Sequence, residues 1–504
     1  MKRYSGVAAA LAAITTHAAG AAGAAVHQSN ACCNALSKHP SLAGKVAYPD
    51  TALYSTRLDS YWSSSAALAP WCMVLPTATD EVSAVASVLS TNQCPFGIRS
   101  GGHSQWAGAS SVQDGVTIDL GFFNSTTFDA DRQVASIRPG SRWQGAYDTL
   151  EPFGVSVPGG RAGIVGVAGF TLGGGYSYYF NSLGFAADNV VNYEAVLADG
   201  QVVNASADEN ADLWHALKGS SGNLGLVTRF DIRTIPSIAI WGGLTTYELG
   251  SIDAVWQAFA NFADNVDADP ASQSIVYTIF VGGQFIVQSL LTNHDALDTA
   301  AAFAEFRTVP ATGTTATVRT IADLANELSG GQPIGIHADW FVTQFKTDVR
   351  IMKFVAEQHT AMIETLQTLI SPDAQLQTLC QFQPVSPSAV AKGKESGGNV
   401  MGLDAVVPDG KATTMFLFTA QVVTPEDEPT IIAHALDFID KIDEFSKSLG
   451  QFIDWKFLNY AYKTQNPIAS YGAQDVGLIK AAAAKYDPKG VFQKLRHSGF
   501  KIPA

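Results

Sequence analysis

The most informative short stretch of this chain is Gly97-Ile98-Arg99-Ser100-Gly101-Gly102-His103-Ser104. Two adjacent glycines allow a backbone to approach a ligand closely, and successive amides in such a turn can point into one concavity and bind a diphosphate. His103 directly follows the glycines, so its imidazole would be held against whatever ring system follows that diphosphate. A glycine turn beside an ordinary histidine gives the same pattern, and this stretch alone leaves both interpretations open.

A second glycine-rich segment spans residues 158–177 and reads Pro-Gly-Gly-Arg-Ala-Gly-Ile-Val-Gly-Val-Ala-Gly-Phe-Thr-Leu-Gly-Gly-Gly-Tyr-Ser. Glycine at this density costs conformational entropy, and it is expected where a backbone must lie flat against a cofactor. The obvious rival is the nicotinamide-binding turn of a βαβ unit. That reading fails because no G-x-G-x-x-G register exists here and no helix-favouring residues follow the glycines.

Size and charge limit the classes of protein and partner. A chain of 504 residues predicts two or three domains, or one large two-domain enzyme. With 47% apolar and 15% charged residues it has the composition of a globular protein with a large core. The net charge of -14 repels phosphate backbones, so no nucleic acid partner is expected. No membrane partner is expected either, because no uncharged apolar run reaches spanning length.

The N-terminus has the pattern of a secretory signal. A charged start at Lys2 and Arg3 precedes an apolar run over residues 6–14 and a further run of small residues. We therefore expect a signal peptide over residues 1–24 and a secreted, extracellular mature protein. A disordered alanine-rich tail is the alternative. Two sequons, at Asn124 and Asn204, add weak support and predict a glycoprotein.

The chain has five cysteines, and their positions bear on whether the protein is secreted. Four lie in the first hundred residues: Cys32, Cys33, Cys72 and Cys94. In an oxidising compartment they predict one or two disulfides that tie the N-terminal segment to the first domain, with the connectivity open. Cys380 is then left without a disulfide partner and is expected to be a buried thiol. No zinc motif is present, so no metal site is expected.

The middle of the chain mixes helical and strand periodicity without strict alternation. This predicts an antiparallel sheet with helices on one face. Helical spacing occurs in residues 251–266, 294–307 and 347–370, and strand patterns occur in 274–280, 285–291, 375–383 and 414–423. Residues 386–398 are rich in Ser, Gly, Lys and Pro and predict a loop. Nearer the N-terminus, Asp199-Gly200 between two apolar runs predicts a tight hairpin.

Further motifs lie at residues 184–191, 213–228, 457–460 and 486–493. In their order and spacing, these segments and the two glycine-rich ones resemble the FAD-binding domain of the vanillyl-alcohol oxidase and p-cresol methylhydroxylase superfamily. Within it they are most similar to the berberine-bridge-enzyme-like (BBE-like) branch of secreted fungal type. The resemblance covers about residues 33–235 and again 455 to the end. It implies an α+β, two-domain PCMH-type fold. The FAD-binding domain would span 25–237, a substrate-binding domain 238–454, and a C-terminal segment returning to the FAD domain 455–504.

The resemblance also implies the cofactor and its contacts. The histidine at the position of His103 bonds covalently to the flavin in this family, and many relatives add a cysteine where this chain has Ala162. We therefore expect monocovalent FAD, linked through His103, in a somewhat more open site. The cofactor-binding residues implied are Arg99, Ser100, Gly101, Gly102, His103, Ser104, Val165, Gly166, Gly169, Thr171, Gly173, Gly174, Val227, Asn459 and Tyr460.

The chemistry implied is that of an FAD-dependent oxidase. Hydride would pass from an alcohol, amine or activated C–H bond of a small organic substrate to the flavin N5, and O2 would then accept the electrons and give H2O2. Tyr460 and Tyr462 are candidate catalytic bases. Two alternatives remain open at this point. One is a flavin dehydrogenase with another electron acceptor, and the other is an idle binding protein that keeps the fold.

Overall fold

The computed structural model describes residues 30–330 and 335–504. The expected signal peptide over residues 1–24 lies outside the described residues. No helix of the two described ranges is both long and apolar enough to cross a membrane.

The N-terminal segment is held by two disulfides, which confirms that part of the sequence analysis. Cys32 is bonded to Cys94, and Cys33 to Cys72. Cys380 is a buried free thiol, as expected. The paired cysteines sit on the first helix, which begins after Asn30, whose side chain caps it by accepting from the amide of Cys32.

Two small sheets form the glycine-rich part of the molecule. The first consists of β1 (Val46–Ala47), β2 (Cys72–Val74), β3 (Phe96–Arg99) and β4 (Val116–Asp119) in the order β1-β2-β4-β3. Here β2 and β3 run parallel to β4, so the chain leaves the carboxyl end of β3 directly into the loop that carries His103. The second sheet is antiparallel and consists of β5 (Thr126–Asp129), β6 (Val134–Ile137), β7 (Val190–Val196), β8 (Val202–Ser206) and β9 (Leu226–Arg233).

The expected hairpin is confirmed in this second sheet. Strands β7 and β8 pair in antiparallel register. Gly200 lies in the turn between them with a φ of +90°. That conformation favours glycine, which explains the Asp-Gly pair in the sequence.

A nine-stranded antiparallel sheet is built from strands within residues 239–453. Its strands are β10 (Ala239–Tyr247), β11 (Ser272–Val281), β12 (Gln284–Asn293), β13 (Ala311–Thr314), β14 (Thr317–Thr320), β15 (His337–Lys346), β16 (Gln377–Val385), β17 (Thr413–Val422) and β18 (Phe452–Ile453). The central order is β10-β12-β11-β16-β17-β15. This arrangement confirms the α+β prediction of an antiparallel sheet covered by helices.

The described residues form fourteen α-helices. They are α1 (Ala31–Lys38), α2 (Ala52–Leu58), α3 (Thr79–Thr91), α4 (Trp143–Leu150), α5 (Val167–Leu172), α6 (Phe180–Leu183), α7 (Ala211–Leu217), α8 (Ile252–Asp264), α9 (Ile321–Ser329), α10 (Val349–Leu369), α11 (Pro387–Glu395), α12 (Glu428–Ser448), α13 (Ala473–Tyr486) and α14 (Val491–Lys494). Helices α8, α10 and α12 pack with the nine-stranded sheet around a buried apolar cluster. The opposite face of the sheet is therefore free of these helices and lines the cavity described below.

Two local predictions were wrong. Residues 294–307 do not form a helix but contain two short 3-10 turns. The side chain of Asn293 accepts hydrogen bonds from the amides of Asp295 and Leu297, which makes a turn that competes with helix formation. Residues 386–398 are not a loop throughout, because Ser386 caps helix α11 by accepting from the amide of Ala389.

Candidate active site

The two glycine-rich segments cross each other at Gly101 and Gly166. A Cβ atom on Gly101 would lie 2.4 Å from the Cα atom of Gly166, and one on Gly166 would lie 2.6 Å from the Cα of Gly101. Any side chain at either position would push the two backbones apart. Gly102 adopts a φ of +67°, a conformation that L-residues rarely take. The glycines are therefore required by the close approach of two loops.

A cavity of about 530 Å³ opens beside this crossing and extends to the nine-stranded sheet. Most of the residues that the sequence assigned to cofactor binding line it. They are Ser100, Gly101, Gly102, His103, Ser104, Val165, Gly166, Gly169, Val227, Asn459 and Tyr460. The structure thus brings together segments that lie more than three hundred residues apart in the sequence.

Five of the expected site residues do not line this cavity: Arg99, Thr171, Gly173, Gly174 and Tyr462. Arg99 is fully buried, forms an ion pair with Asp119 at 3.3 Å and lies over the ring of Tyr61. Burial lowers the pKa of its guanidinium, and Asp119 partly offsets this effect. Arg99 thus braces the loop that carries His103. The ring of Tyr462 packs 4.7 Å from that of Phe341, and burial raises its pKa.

His103 stands between two tryptophans. Its ring centroid lies 4.6 Å from that of Trp62 and 6.0 Å from that of Trp340. Trp62 belongs to the segment before β2, whereas Trp340 belongs to β15 of the nine-stranded sheet. The imidazole is therefore held at the meeting of the two parts of the fold, on the wall of the cavity.

The C-terminal segment is fixed to the glycine-rich segment by Asn459. Its Nδ2 donates to the carbonyl of Gly169 at 3.0 Å, and its Oδ1 accepts from the amide of Gly175 at 3.1 Å. Gln105 and Trp106 both donate to the carbonyl of Ala461 at 3.2 Å. These bonds place the neighbouring Tyr460 against the cavity.

Tyr460 accepts a hydrogen bond from a half-buried arginine that the sequence analysis missed. Arg161 Nη2 donates to the hydroxyl oxygen of Tyr460 at 2.7 Å. The guanidinium also lies 4.7 Å from the ring centroid of Tyr176. Burial opposes its charge, but the pKa of Arg161 is raised overall because Tyr460, Tyr277 and other phenols surround it. The signal in the sequence was an arginine directly after Gly159-Gly160, a polar residue in an otherwise apolar segment.

The sheet contributes a wall of side chains that the sequence did not identify. Strands β11, β12, β16 and β17 each present alternate residues to the cavity, as the pleat requires. These residues are Tyr277, Ile279, Gln288, Leu290, Gln377, Leu379, Gln381, Leu417, Thr419 and Gln421. Glutamine and leucine dominate this wall. The residue pattern of these strands is compatible with either face turned toward the cavity. Periodicity alone therefore did not show which residues line it.

No group of three or more His, Cys, Asp or Glu residues in the described ranges could hold a metal ion. The groups around the cavity are phenol, guanidinium, imidazole, amide and bare backbone. Such a set can bind a large organic cofactor, orient a second molecule beside it and move a proton at Tyr460.

Comparison with known proteins identifies the family. Residues 70–206 match the FAD binding domain family. The chain is 34% identical over 483 residues to the FAD-dependent monooxygenase drtC of Aspergillus calidoustus, a match that covers 94% of this chain and 90% of that protein.

Solved structures agree on the fold. The 6-hydroxy-D-nicotine oxidase from Arthrobacter nicotinovorans superposes with a TM-score of 0.74 at 17% identity, covering 92% of this chain and 98% of that chain. Glucooligosaccharide oxidase from Acremonium strictum gives a TM-score of 0.74 at 18% identity, covering 94% and 100%. The expected resemblance is thereby confirmed. The chain belongs to the family of FAD-dependent oxidoreductases that includes drtC, and its fold is that of the BBE-like oxidases.

Proposed function

We propose that the chain is a secreted oxidase that binds FAD through one covalent link, at His103, and oxidises a small organic molecule with O2 as the electron acceptor. The observation that carries this proposal is the cavity itself. Part of its wall is glycine-rich backbone beside His103, and another part is Tyr460 in contact with Arg161. A substrate in this cavity would lie between a fixed ring system and a proton-accepting oxygen.

The glycine-rich wall fits FAD. Gly169 lines the cavity, and a Cβ atom there would meet no protein atom within 4 Å. The missing side chain leaves space for a ligand, unlike at Gly101 and Gly166, where the neighbouring backbone fills it. Ser100 to Ser104 would hold the diphosphate through backbone amides. Bound FAD supplies two-electron redox chemistry that no amino-acid side chain provides.

A single covalent link is supported by the residues at the cavity. Ala162, which stands where many relatives have cysteine, lines it with 8% of its surface exposed. No cysteine of the described ranges lines the cavity. A second, thioether link therefore has no donor. We expect a flavin potential below that of bicovalent relatives, and a redox titration of the purified protein measures it.

Tyr460 is the proposed catalytic base. Its oxygen accepts from Arg161, so the guanidinium stabilises negative charge that develops on that oxygen when the phenol loses its proton. Tyr460 would then take the proton of a substrate hydroxyl or amine as that group is oxidised. The substrate loses two electrons and two protons, and O2 gains both to become H2O2. Tyr462 stays a less supported alternative, because it does not line the cavity.

Monooxygenation is a second candidate, because drtC is named an FAD-dependent monooxygenase. The two reactions differ in their products. An oxidase removes two hydrogens and releases one H2O2 per substrate, whereas a monooxygenase inserts one oxygen atom from O2 and needs a further reductant. Turnover under ¹⁸O2 with mass analysis of the product separates them. Unlabelled product with stoichiometric peroxide supports the oxidase.

Covalent attachment is tested on a denaturing gel viewed under ultraviolet light after an acid soak. We expect a fluorescent band for the wild type and none for His103→Ala. His215→Ala is the matched control, since His215 bonds to the carbonyl of Asn399 and does not line the cavity. A fluorescent band in His103→Ala contradicts the attachment, and a wild-type protein without flavin contradicts the whole proposal.

Secretion is proposed on independent grounds. Two disulfides hold the N-terminal segment, and such bonds persist in oxidising compartments. Both sequon asparagines, Asn124 and Asn204, are exposed and open to glycan attachment. Expression in a eukaryotic host should release the protein into the medium, with a gel shift after deglycosylation. Retention of an intact N-terminus inside the cell contradicts it.

A further inference from the structure

A second cavity, of about 410 Å³, touches the loop that carries His103. It shares Ser100 and Gly101 with the cavity described above, but its other lining residues are different. They come from the turn after β4, the start of β5 and helix α4. Several of them are exposed, so the cavity is a groove that opens to the surface, and we call it the Asn124 groove. No step of the proposed reaction uses these further residues.

Phe122 presents an exposed aromatic ring to the Asn124 groove. It lies in a turn closed by a hydrogen bond from the amide of Phe123 to the carbonyl of Leu120 at 2.8 Å, and 46% of its surface is exposed. The guanidinium carbon of Arg57 lies 5.0 Å from the ring centroid, and Arg57 is itself fixed by two hydrogen bonds to Asp119. One face of the ring is therefore held by a fixed cation, and the remaining ring surface stays open.

Asn124 lines the same groove and begins the sequon Asn124-Ser125-Thr126. Phe123, which precedes it, is buried, whereas Phe122 and Asn124 are exposed on the turn. Asn124 Nδ2 donates one hydrogen bond to the carbonyl of Gly121 at 3.1 Å. This nitrogen carries two hydrogens, so the bond to Gly121 persists when a sugar replaces the other one. The turn thus places the attachment point beside the aromatic ring.

Helix α4 leaves space in the groove at Gly145. Glycine inside a helix is destabilising relative to alanine, and a Cβ atom at Gly145 would meet no atom of the described residues within 4 Å. Packing therefore does not require glycine here, but its absent side chain keeps the groove open. Thr149 lies one turn later, and Ser125, Thr126 and Arg142 add polar groups. The groove offers a ligand an apolar ring, polar edges and free volume.

The two cations of the groove already have partners. Both arms of the Arg57 fork are paired with Asp119, and Arg142 Nη1 donates to the carbonyl of Ile164. An anion is therefore not required to balance them. A sugar matches the groove better, because its ring carbons form an apolar face while its hydroxyl and N-acetyl groups exchange hydrogen bonds.

We propose that Asn124 carries an N-linked glycan whose first N-acetylglucosamine packs on Phe122 in this groove and stabilises the fold. The inference rests on the proposed secretion, because attachment needs a lipid-linked oligosaccharide donor of the secretory pathway. Asn124 Nδ2 bonds to the anomeric carbon of the sugar, and the bond from that carbon to the lipid diphosphate breaks. The amide nitrogen loses one proton, and the lipid diphosphate leaves. The attached sugar then supports the loop at Ser100 and Gly101.

The second sequon asparagine, Asn204, has different surroundings. It lies on β8, does not line the Asn124 groove, and its Oδ1 accepts from Asn192 Nδ2 at 3.2 Å. Its partner across the hairpin is Glu194 rather than an aromatic residue. A glycan on Asn204 would extend into solvent, so we expect it to leave stability unchanged.

The test compares variants secreted from a eukaryotic host. Mass analysis of glycopeptides gives the occupancy of each sequon, and urea titration gives the unfolding equilibrium constant. Asn124→Gln should raise this constant by roughly three- to tenfold, the size of one aromatic contact, while the matched control Asn204→Gln leaves it unchanged. Endoglycosidase trimming of the wild type to a single N-acetylglucosamine should also leave it unchanged, because the first sugar makes the contact.

Phe122→Ala separates packing on the ring from attachment alone. It should destabilise the glycosylated protein and have a much smaller effect in the Asn124→Gln background. If Asn124→Gln is not secreted, Thr126→Ala removes the sequon and keeps the asparagine. Additive effects of the two substitutions overturn the inference, as does a secreted wild type without glycan on Asn124. Retention inside the cell with an intact N-terminus overturns the proposed secretion as well, so the two failures are distinguishable.

Discussion

On the glycine-rich side of the cavity the backbone forms the wall, whereas on the side of the nine-stranded sheet the wall is made of side chains. Gly101 and Gly166 touch, and no larger residue fits at either position. Gln288 and Leu290 simply occupy alternate places on a pleated strand. The first wall tolerates almost no change in sequence, and the second accepts many. A fold that binds one cofactor and varied substrates needs this division.

The largest expected effect comes from breaking the backbone wall. Gly101→Ala places a methyl group 2.4 Å from the Cα atom of Gly166. Overpacking of this kind costs about 1–3 kcal/mol or more, and here it separates the two loops that form the flavin site. We expect the variant to lose its flavin and to unfold at lower urea concentration. Visible absorbance and urea titration measure the two effects.

Gly169→Ala is the matched control for that experiment. Its methyl group would meet no protein atom within 4 Å. The fold should therefore persist with wild-type stability in the flavin-free protein, while flavin content falls. Equal stability of the two flavin-free variants in urea would show that the contact between the loops does not hold the site together.

The next largest effect concerns the part of the cavity wall that the C-terminal segment contributes. Tyr460→Phe removes the proposed base and should lower turnover by roughly 10²–10⁴-fold, with flavin content unchanged. Tyr462→Phe should change turnover little, because its ring packs on Phe341 outside the cavity. The comparison uses steady-state oxygen uptake and peroxide release. Equal losses in both variants would remove the distinction between the two tyrosines.

The backbone wall could be predicted from the sequence because its requirement is local. Gly101-Gly102-His103 is a short run whose glycines mark a local demand on the backbone, and its order with residues 158–177 pointed to the family and the fold. The Asp199-Gly200 hairpin was predictable for the same reason, since a positive φ in the turn selects glycine. A local demand on backbone conformation, such as a positive φ, selects the residue type directly, so it can be recognised in the sequence.

The side-chain wall could not be predicted because its requirement is not local. Strand β16 alternates correctly with either face inward, and only packing against α8, α10 and α12 decides which residues point to the cavity. Arg161 was missed because its partner Tyr460 lies 299 residues away. The failed helix at 294–307 was a different kind of error, in which the side chain of Asn293 competed with the backbone pattern.

A pH-dependent effect on stability, without one on flavin content, is expected at the interface between the two regions. Ser65, from the glycine-rich region, donates to Glu428, and its hydroxyl lies 2.9 Å from His337 Nδ1. Burial, and then the charge of Glu428, raise the pKa of the adjacent Asp339 from 3.8 to about 8. Between these values the folded protein holds a proton that the unfolded chain has lost. Stability should therefore fall as pH rises from about 4 to about 8, by at most about 1.4 kcal/mol per pH unit.

Asp339→Asn tests this pH dependence. The variant should unfold in urea with a flatter dependence on pH over that window, because the titrating group is gone. Asp437→Asn is the control, since Asp437 lies on the exposed side of α12 and pairs with Lys441. It should keep the wild-type slope. If the stability of Asp339→Asn depends on pH as steeply as that of the wild type, a group other than Asp339 causes the pH dependence.

The smallest effect separates function from stability within the sheet wall. Gln421 lines the cavity, and its Oε1 is buried without a donor among the described residues. Gln273 on β11 also has an amide oxygen and nitrogen buried without partners there, but it does not line the cavity. Replacing either by leucine removes an unsatisfied polar group and should raise the free energy of unfolding by about 1 kcal/mol. Only Gln421→Leu should also weaken the binding of an aromatic alcohol such as 2-naphthol, measured by flavin absorbance changes on the purified protein, by roughly three- to tenfold. If both variants bind 2-naphthol like the wild type, Gln421 does not contact the ligand, and its buried oxygen is a structural cost without a function.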